Sequence, residues 1–157
     1  MDRLQTFGVS QGEGKYHEEA IYSLALIYNI IHSDIASYLK DFQLTPGKLN
    51  ILIAIKHHGQ DKGIRQVEIS RHLIVTPSNM TKLVDKLEKE GLVTRSSLEG
   101  DRRVNIVQIT DKGKALLEQI WEGYNNRLKA LFAKVEPNKQ KLLSSLLIDW
   151  FEILQKE

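Results

Sequence analysis

Two places between residues 76 and 103 concentrate short hydrogen-bonding and cationic side chains. The first is Thr76, Ser78, Asn79, Thr81 and Lys82. On a helix opening at Pro77 these residues form a polar leading half. The major groove of duplex DNA admits one helix and displays a full donor and acceptor code there. The second place is Asp101-Arg102-Arg103. In extended chain Asp101 and Arg103 project from one side, where a carboxylate holds a guanidinium by a bidentate pair. An arginine positioned in advance loses little entropy on entering a narrow, electronegative minor groove. Arg102 points the other way, towards a phosphate.

The flanking segments must position these residues. The helix opening at Pro77 places Met80, Leu83, Val84 and Leu87 on one face and Ser78, Lys82, Asp85, Lys86 and Lys89 on the other. Gly91 fits the left-handed position after its last turn, with Leu92 packing back on Leu87. Leu92–Ser96 and Arg103–Ile109 read as two strands joined by a turn at 97–102, and such a hairpin must lie against helices to be stable. A short helix from about Gln66 to Leu73 precedes Pro77, so the pair forms a helix-turn-helix. Its cap position holds Arg65, a poor capping residue, although Glu68 stands where a capping-box carboxylate belongs.

Upstream, 1–14 reads as a tail. Apolar steps of three and four predict a helix from Tyr16 to about Phe42. Thr45-Pro46 opens the next helix, with Leu44 and Leu49 at staple spacing. Residues 57–63 read as a polar loop. Downstream, Thr110-Asp111 caps a helix running to about Val135, which Glu136-Pro137 breaks. The last helix carries Leu142, Leu143, Leu146, Leu147, Trp150, Phe151 and Leu154 in two adjacent rows.

Composition narrows the function. The chain has 157 residues, no cysteine and a formal net charge of +2. There is no thiolate metal site and no thiol redox switch. The apolar runs fall short of the roughly 20 residues of a membrane span, and the N-terminus lacks the apolar core of a signal peptide, so a cytoplasmic protein is expected. Charge is uneven: residues 62–103 hold nine basic and six acidic side chains, against five and seven in 1–61. A phosphate backbone senses that local excess. His17, His32, His57, His58 and His72 are dispersed, with no helical pair at ligand spacing, so no metal or other cofactor is expected. No phosphate-binding loop, zinc-protease or nucleophile motif appears, so an enzyme is not expected. A winged helix used for protein contacts would show an acidic or apolar helix face, whereas Lys82, Lys86 and Lys89 face only Asp85 here.

From about Tyr16 onward the sequence resembles the MarR family of bacterial winged-helix transcription regulators. The resemblance rests on the helix order, on KLEKEGLVTR following the recognition helix, and on GDRRVNIVQITDKG through the wing into the fifth helix. It implies a mainly α fold with a small β-hairpin wing. About 45–110 would form the winged helix-turn-helix, and 15–42 and 111–157 the dimerisation helices of one MarR-type domain. It implies an obligate homodimer on double-stranded DNA, with Ile21, Tyr28, Leu143, Leu146, Leu147, Trp150 and Phe151 at the interface. It implies that Asp101 orients Arg103 and that Thr76, Ser78, Asn79 and Lys82 meet bases or phosphates. Lys86 and Arg95 would meet the backbone. A small-molecule effector is a further expected partner. Metal-responsive members of the family form the alternative.

Overall fold

A computed structural model describes residues 4–9, 12–59, 62–73, 77–98 and 101–156. It divides into two compact units, Met1–Glu122 and Gly123–Glu157.

The first unit begins with a 3-10 turn at Gln5–Phe7 and a left-handed Gly8. Val9 is buried, so part of the expected tail is built into the fold. Helix α1 spans Tyr16–Leu39. It ends earlier than its apolar pattern suggests, because a 3-10 turn at Lys40–Phe42 tightens the chain into a left-handed Gln43. Helix α2 is Pro46–Ala54, and Thr45 caps it by accepting from the Lys48 amide at 3.4 Å. Leu44 and Leu49 are both buried, as a staple requires.

The expected polar loop after α2 is partly structured. Ile55–Gly59 forms a π-helical turn with Ile55 and Gly59 buried. A two-residue strand follows, β1 at Ile64–Arg65, and leads directly into α3, Gln66–His72. Helix α4 is Pro77–Lys89. Strands β2 (Val93–Leu98) and β3 (Asp101–Ile109) form the hairpin. At the tip the strands reach Leu98 and Asp101, beyond the expected ends at Ser96 and Arg103, while β2 begins one residue later than Leu92.

The antiparallel sheet has the order β1-β3-β2. Ile64 pairs with Val107 and Arg65 with Ile106. On the other side Val93 pairs with Ile109 and Ser97 with Asn105, before a register shift brings Leu98 opposite Asp101. The third strand answers how the hairpin is supported. Gly63 makes it possible, with φ +76 and a site where a Cβ would lie 2.4 Å from the Gln108 side chain and 2.8 Å from the Val107 carbonyl oxygen.

The core lies where α2 packs on α1, α3 and α4, and where α3 and α4 meet the sheet. Leu39, Ile51, Leu52, Ile55, Ile69, Val84, Leu87, Val107 and Ile120 are wholly buried in it. Helix α5, Asp111–Phe132, enters this unit through its first half. Thr110 caps it, its hydroxyl oxygen accepting from the Gly113 amide at 3.1 Å. The helix stops before Val135. Glu136 is extended in ψ at 133°, as a residue preceding proline prefers, and Pro137 opens α6, Pro137–Leu154, rather than merely breaking α5.

Among the described residues, no side chain of 123–157 is buried. In α6, Leu142, Leu146, Leu147, Phe151 and Leu154 are all exposed. Among the described residues no helix is long and apolar enough to cross a membrane.

Candidate nucleic-acid interface

Helix α4 has the two-sided character its sequence dictates. Met80, Val84 and Leu87 are buried, while Asn79, Thr81, Lys82, Lys86 and Lys89 are exposed. Burial of the apolar row fixes the rotation of the helix about its axis and so decides which residues face out. Thr76 lies outside the described residues, as do the side chains of Ser78, Asp101, Arg102 and Arg103. The backbone of 101–103 belongs to β3, so the chain is extended where the Asp101-Arg103 reading requires it.

The C-terminal end of α4 is closed by backbone bonds. The Gly91 amide donates to the Glu88 carbonyl at 2.9 Å and the Leu92 amide to the Leu87 carbonyl at 2.9 Å. Gly91 has φ +72. This is the Schellman arrangement that the Leu87–Gly91–Leu92 spacing anticipates.

Side chains from three other elements hold the same helix. From α2, the Lys48 ammonium is paired with the Glu90 carboxylate, and Lys48 is the one charged side chain among the described residues that is buried. From the start of α5, the Lys112 ammonium donates to the Glu90 carbonyl at 2.7 Å, and the Thr110 hydroxyl donates to the Gly91 carbonyl at 2.8 Å. From α3, the Gln66 amide nitrogen donates to the Thr81 hydroxyl at 3.0 Å and ties the two helices of the motif together. At the start of α3 the Glu68 carboxylate accepts from the Arg65 amide at 3.3 Å. Half of a capping box therefore forms despite the arginine.

Arg95 is turned inward. Its guanidinium faces α4, with Nη2 2.5 Å from Asp85 and 3.7 Å from Glu88. The arginine expected at a DNA backbone is engaged by carboxylates of its own chain. Sequence reading placed Arg95 and Asp85 in neighbouring elements without pairing them. It passed over Lys48 and Gln66, whose partners lie 42 and 15 residues away. Nothing local to either residue signals such a partner.

A helix-turn-helix followed by an antiparallel hairpin, the hairpin braced by a short strand before α3, is a winged helix. Residues 44–104 match the model of the MarR family. It is 30% identical over 101 residues to the HTH-type transcriptional repressor MdtR of Bacillus subtilis, a match spanning 64% of this chain and 63% of that protein. Thus the match spans less than two thirds of that relative's length. A MarR-like transcription regulator from Bacillus cereus superposes with a TM-score of 0.80 at 18% identity, covering 90% of this chain and 99% of that one. The structure of S. aureus MepR in complex with DNA superposes with a TM-score of 0.76 at 20% identity, covering 83% and 95%.

Proposed function

We propose that the chain is a sequence-specific DNA-binding transcription regulator, a ligand-responsive repressor that acts as a homodimer. The observation that carries this reading is α4, a helix with one face locked into the core and the other offering Asn79, Thr81, Lys82 and Lys86. The repressor name of MdtR and the DNA complex of MepR support it. Asn79, Thr81 and Lys82, with Thr76 and Ser78, read the major groove. Lys86 meets the backbone. In the wing, Asp101 holds Arg103 for the minor groove while Arg102 meets phosphate.

The exposed apolar rows of α1 and α6 supply the reason for a dimer. Ile21 and Tyr28 are exposed on α1, and Leu146, Leu147 and Phe151 are exposed on α6; an exposed apolar row on a helix marks an association site. Two-fold symmetry then presents two copies of α4 to half-sites about 34 Å apart. A recess of about 590 Å³ lined by Ile53, Lys56, His57, Leu117, Glu118 and Trp121 offers room for a small effector beside α5. An effector that loosens DNA binding must by linkage bind the DNA complex more weakly than the free dimer.

Selection of bound sequences from random duplex DNA tests the reading. Enrichment of a pseudo-palindrome is the expected result. No enrichment, with weak binding indifferent to salt, would favour a winged helix that contacts protein instead.

A further inference from the structure

We infer that Arg95 is a positioning residue that locks the wing to α4, so that helix and wing present themselves to DNA as one body; this rests on the DNA-binding reading above. Arg95 stands in β2, in register with Val107 of β3. Its side chain is only 20% exposed and is turned onto the flank of α4, where Asp85 and Glu88 lie one helical turn apart. Nε is buried with no hydrogen-bond partner among the described residues. Holding the guanidinium inward therefore leaves a donor unsatisfied, which argues that the inward geometry is set by the carboxylates.

The location gives the pair its leverage. Asp85 and Glu88 follow the groove-facing residues Asn79, Thr81 and Lys82 along the same helix. Arg95 lies at the root of the hairpin that carries Arg103. Lys48 and Lys112 anchor the end of α4 to the body through Glu90, but neither reaches the sheet by a contact of this kind. Among the charged contacts described for α4, those of Arg95 are the ones made by a residue of the wing. Misalignment of either element by an ångström would spoil simultaneous contact with two grooves.

The alternative, that Arg95 itself meets a phosphate, makes the opposite forecast for Asp85. Removing an acid from a DNA-facing surface should strengthen binding, the more so if it frees an arginine. If Asp85 instead holds the brace, Asp85→Asn should weaken binding despite the gain in positive charge. The experiment compares wild type, Asp85→Asn, Arg95→Ala, their double variant and the charge-exchanged pair Asp85→Arg with Arg95→Asp. Each is titrated with the duplex selected by wild type at several salt concentrations. Hydrogen exchange is measured on each free protein.

Both single variants are expected to lose about tenfold in affinity, the double no more than Arg95→Ala alone, and the exchanged pair to recover several-fold. Exchange should rise in both α4 and the wing root. Asp85→Asn binding as tightly as wild type or tighter would overturn the inference. So would an Arg95→Ala variant whose only change is a salt slope lower by about 0.9, the signature of one lost phosphate contact. If wild type selects no duplex, the DNA reading fails by itself. The exchange measurement then still decides the brace, and unchanged protection of the wing would overturn it.

Discussion

Helices α4 and α6 are both amphipathic, yet the chain finishes only one of them. In α4, Met80 is 1% exposed, and Val84 and Leu87 are not exposed at all. In α6, Leu142, Leu146, Phe151 and Leu154 remain between 56% and 59% exposed. The first helix is a part of a closed core. Its polar face is left over for contact because the apolar face is already used. The second has its apolar face left over, and water is a poor partner for it. The difference separates two jobs along one chain. One region buries its own apolar face and presents polar groups, and the other leaves its apolar face open for the proposed dimer.

The comparison breaks most visibly at α6. Leu146→Asp combined with Trp150→Asp should convert the proposed dimer to monomer in sedimentation. Operator affinity should fall by about a hundredfold or more, since the second half-site is then no longer tethered to the first. A full-strength dimer would remove α6 from the interface. The corresponding cut in the self-contained region is Leu87→Ala. It should cost about 2–5 kcal/mol in urea unfolding through the cavity it leaves. A cost below about 1 kcal/mol would mean that the α4 core is looser than its burial indicates.

Two glycines sharpen the picture at smaller scale. A Cβ at Gly113 would lie 2.3 Å from the Leu92 carbonyl oxygen, backbone that has little room to yield. Gly113→Ala should therefore cost about 1–3 kcal/mol by overpacking, with α5 displaced from the base of the wing. At Gly91 the nearest atoms to a Cβ are the end of Lys112 at 4.0 Å, so Gly91→Ala meets only the left-handed backbone cost, about 1 kcal/mol. Chemical denaturation of both variants gives the order. A larger loss at Gly91 than at Gly113 would show that turn geometry, not close approach, limits this end of α4.

These elements also mark how far sequence carries. The start of α5 and the end of α4 were readable because their signals are local: Thr110 three residues before Gly113, and Gly91 followed by Leu92 in reach of Leu87. The rotation of α4 was readable from Met80, Val84 and Leu87 because a helix with one apolar face has one way to bury it. Strand β1 was not readable. Two residues carry no periodicity, and Ile64 and Arg65 are strand only because Val107 and Ile106 lie opposite them. The π-helical turn at Ile55–Gly59 likewise follows from burying Ile55 and Gly59 together, not from the polar look of Lys56, His57 and His58. Arg95 shows the limit for the site. Its charge was legible, but which charge it would meet depended on how β2 lies against α4.

Strand β2 also stands at the outer edge of the sheet, with β3 on its other side. An open strand edge is a template on which a foreign strand can add and start aggregation. Thr94, Ser96 and Ser97 give that edge exposed polar side chains, and Arg95 places a charge between them that is already committed to α4. A strand seeking to pair there would meet no apolar ladder and would have to accommodate a tethered guanidinium. The same residue that aligns the wing thus also sets a committed charge in an edge strand of the sheet, where an incoming strand would have to accommodate it.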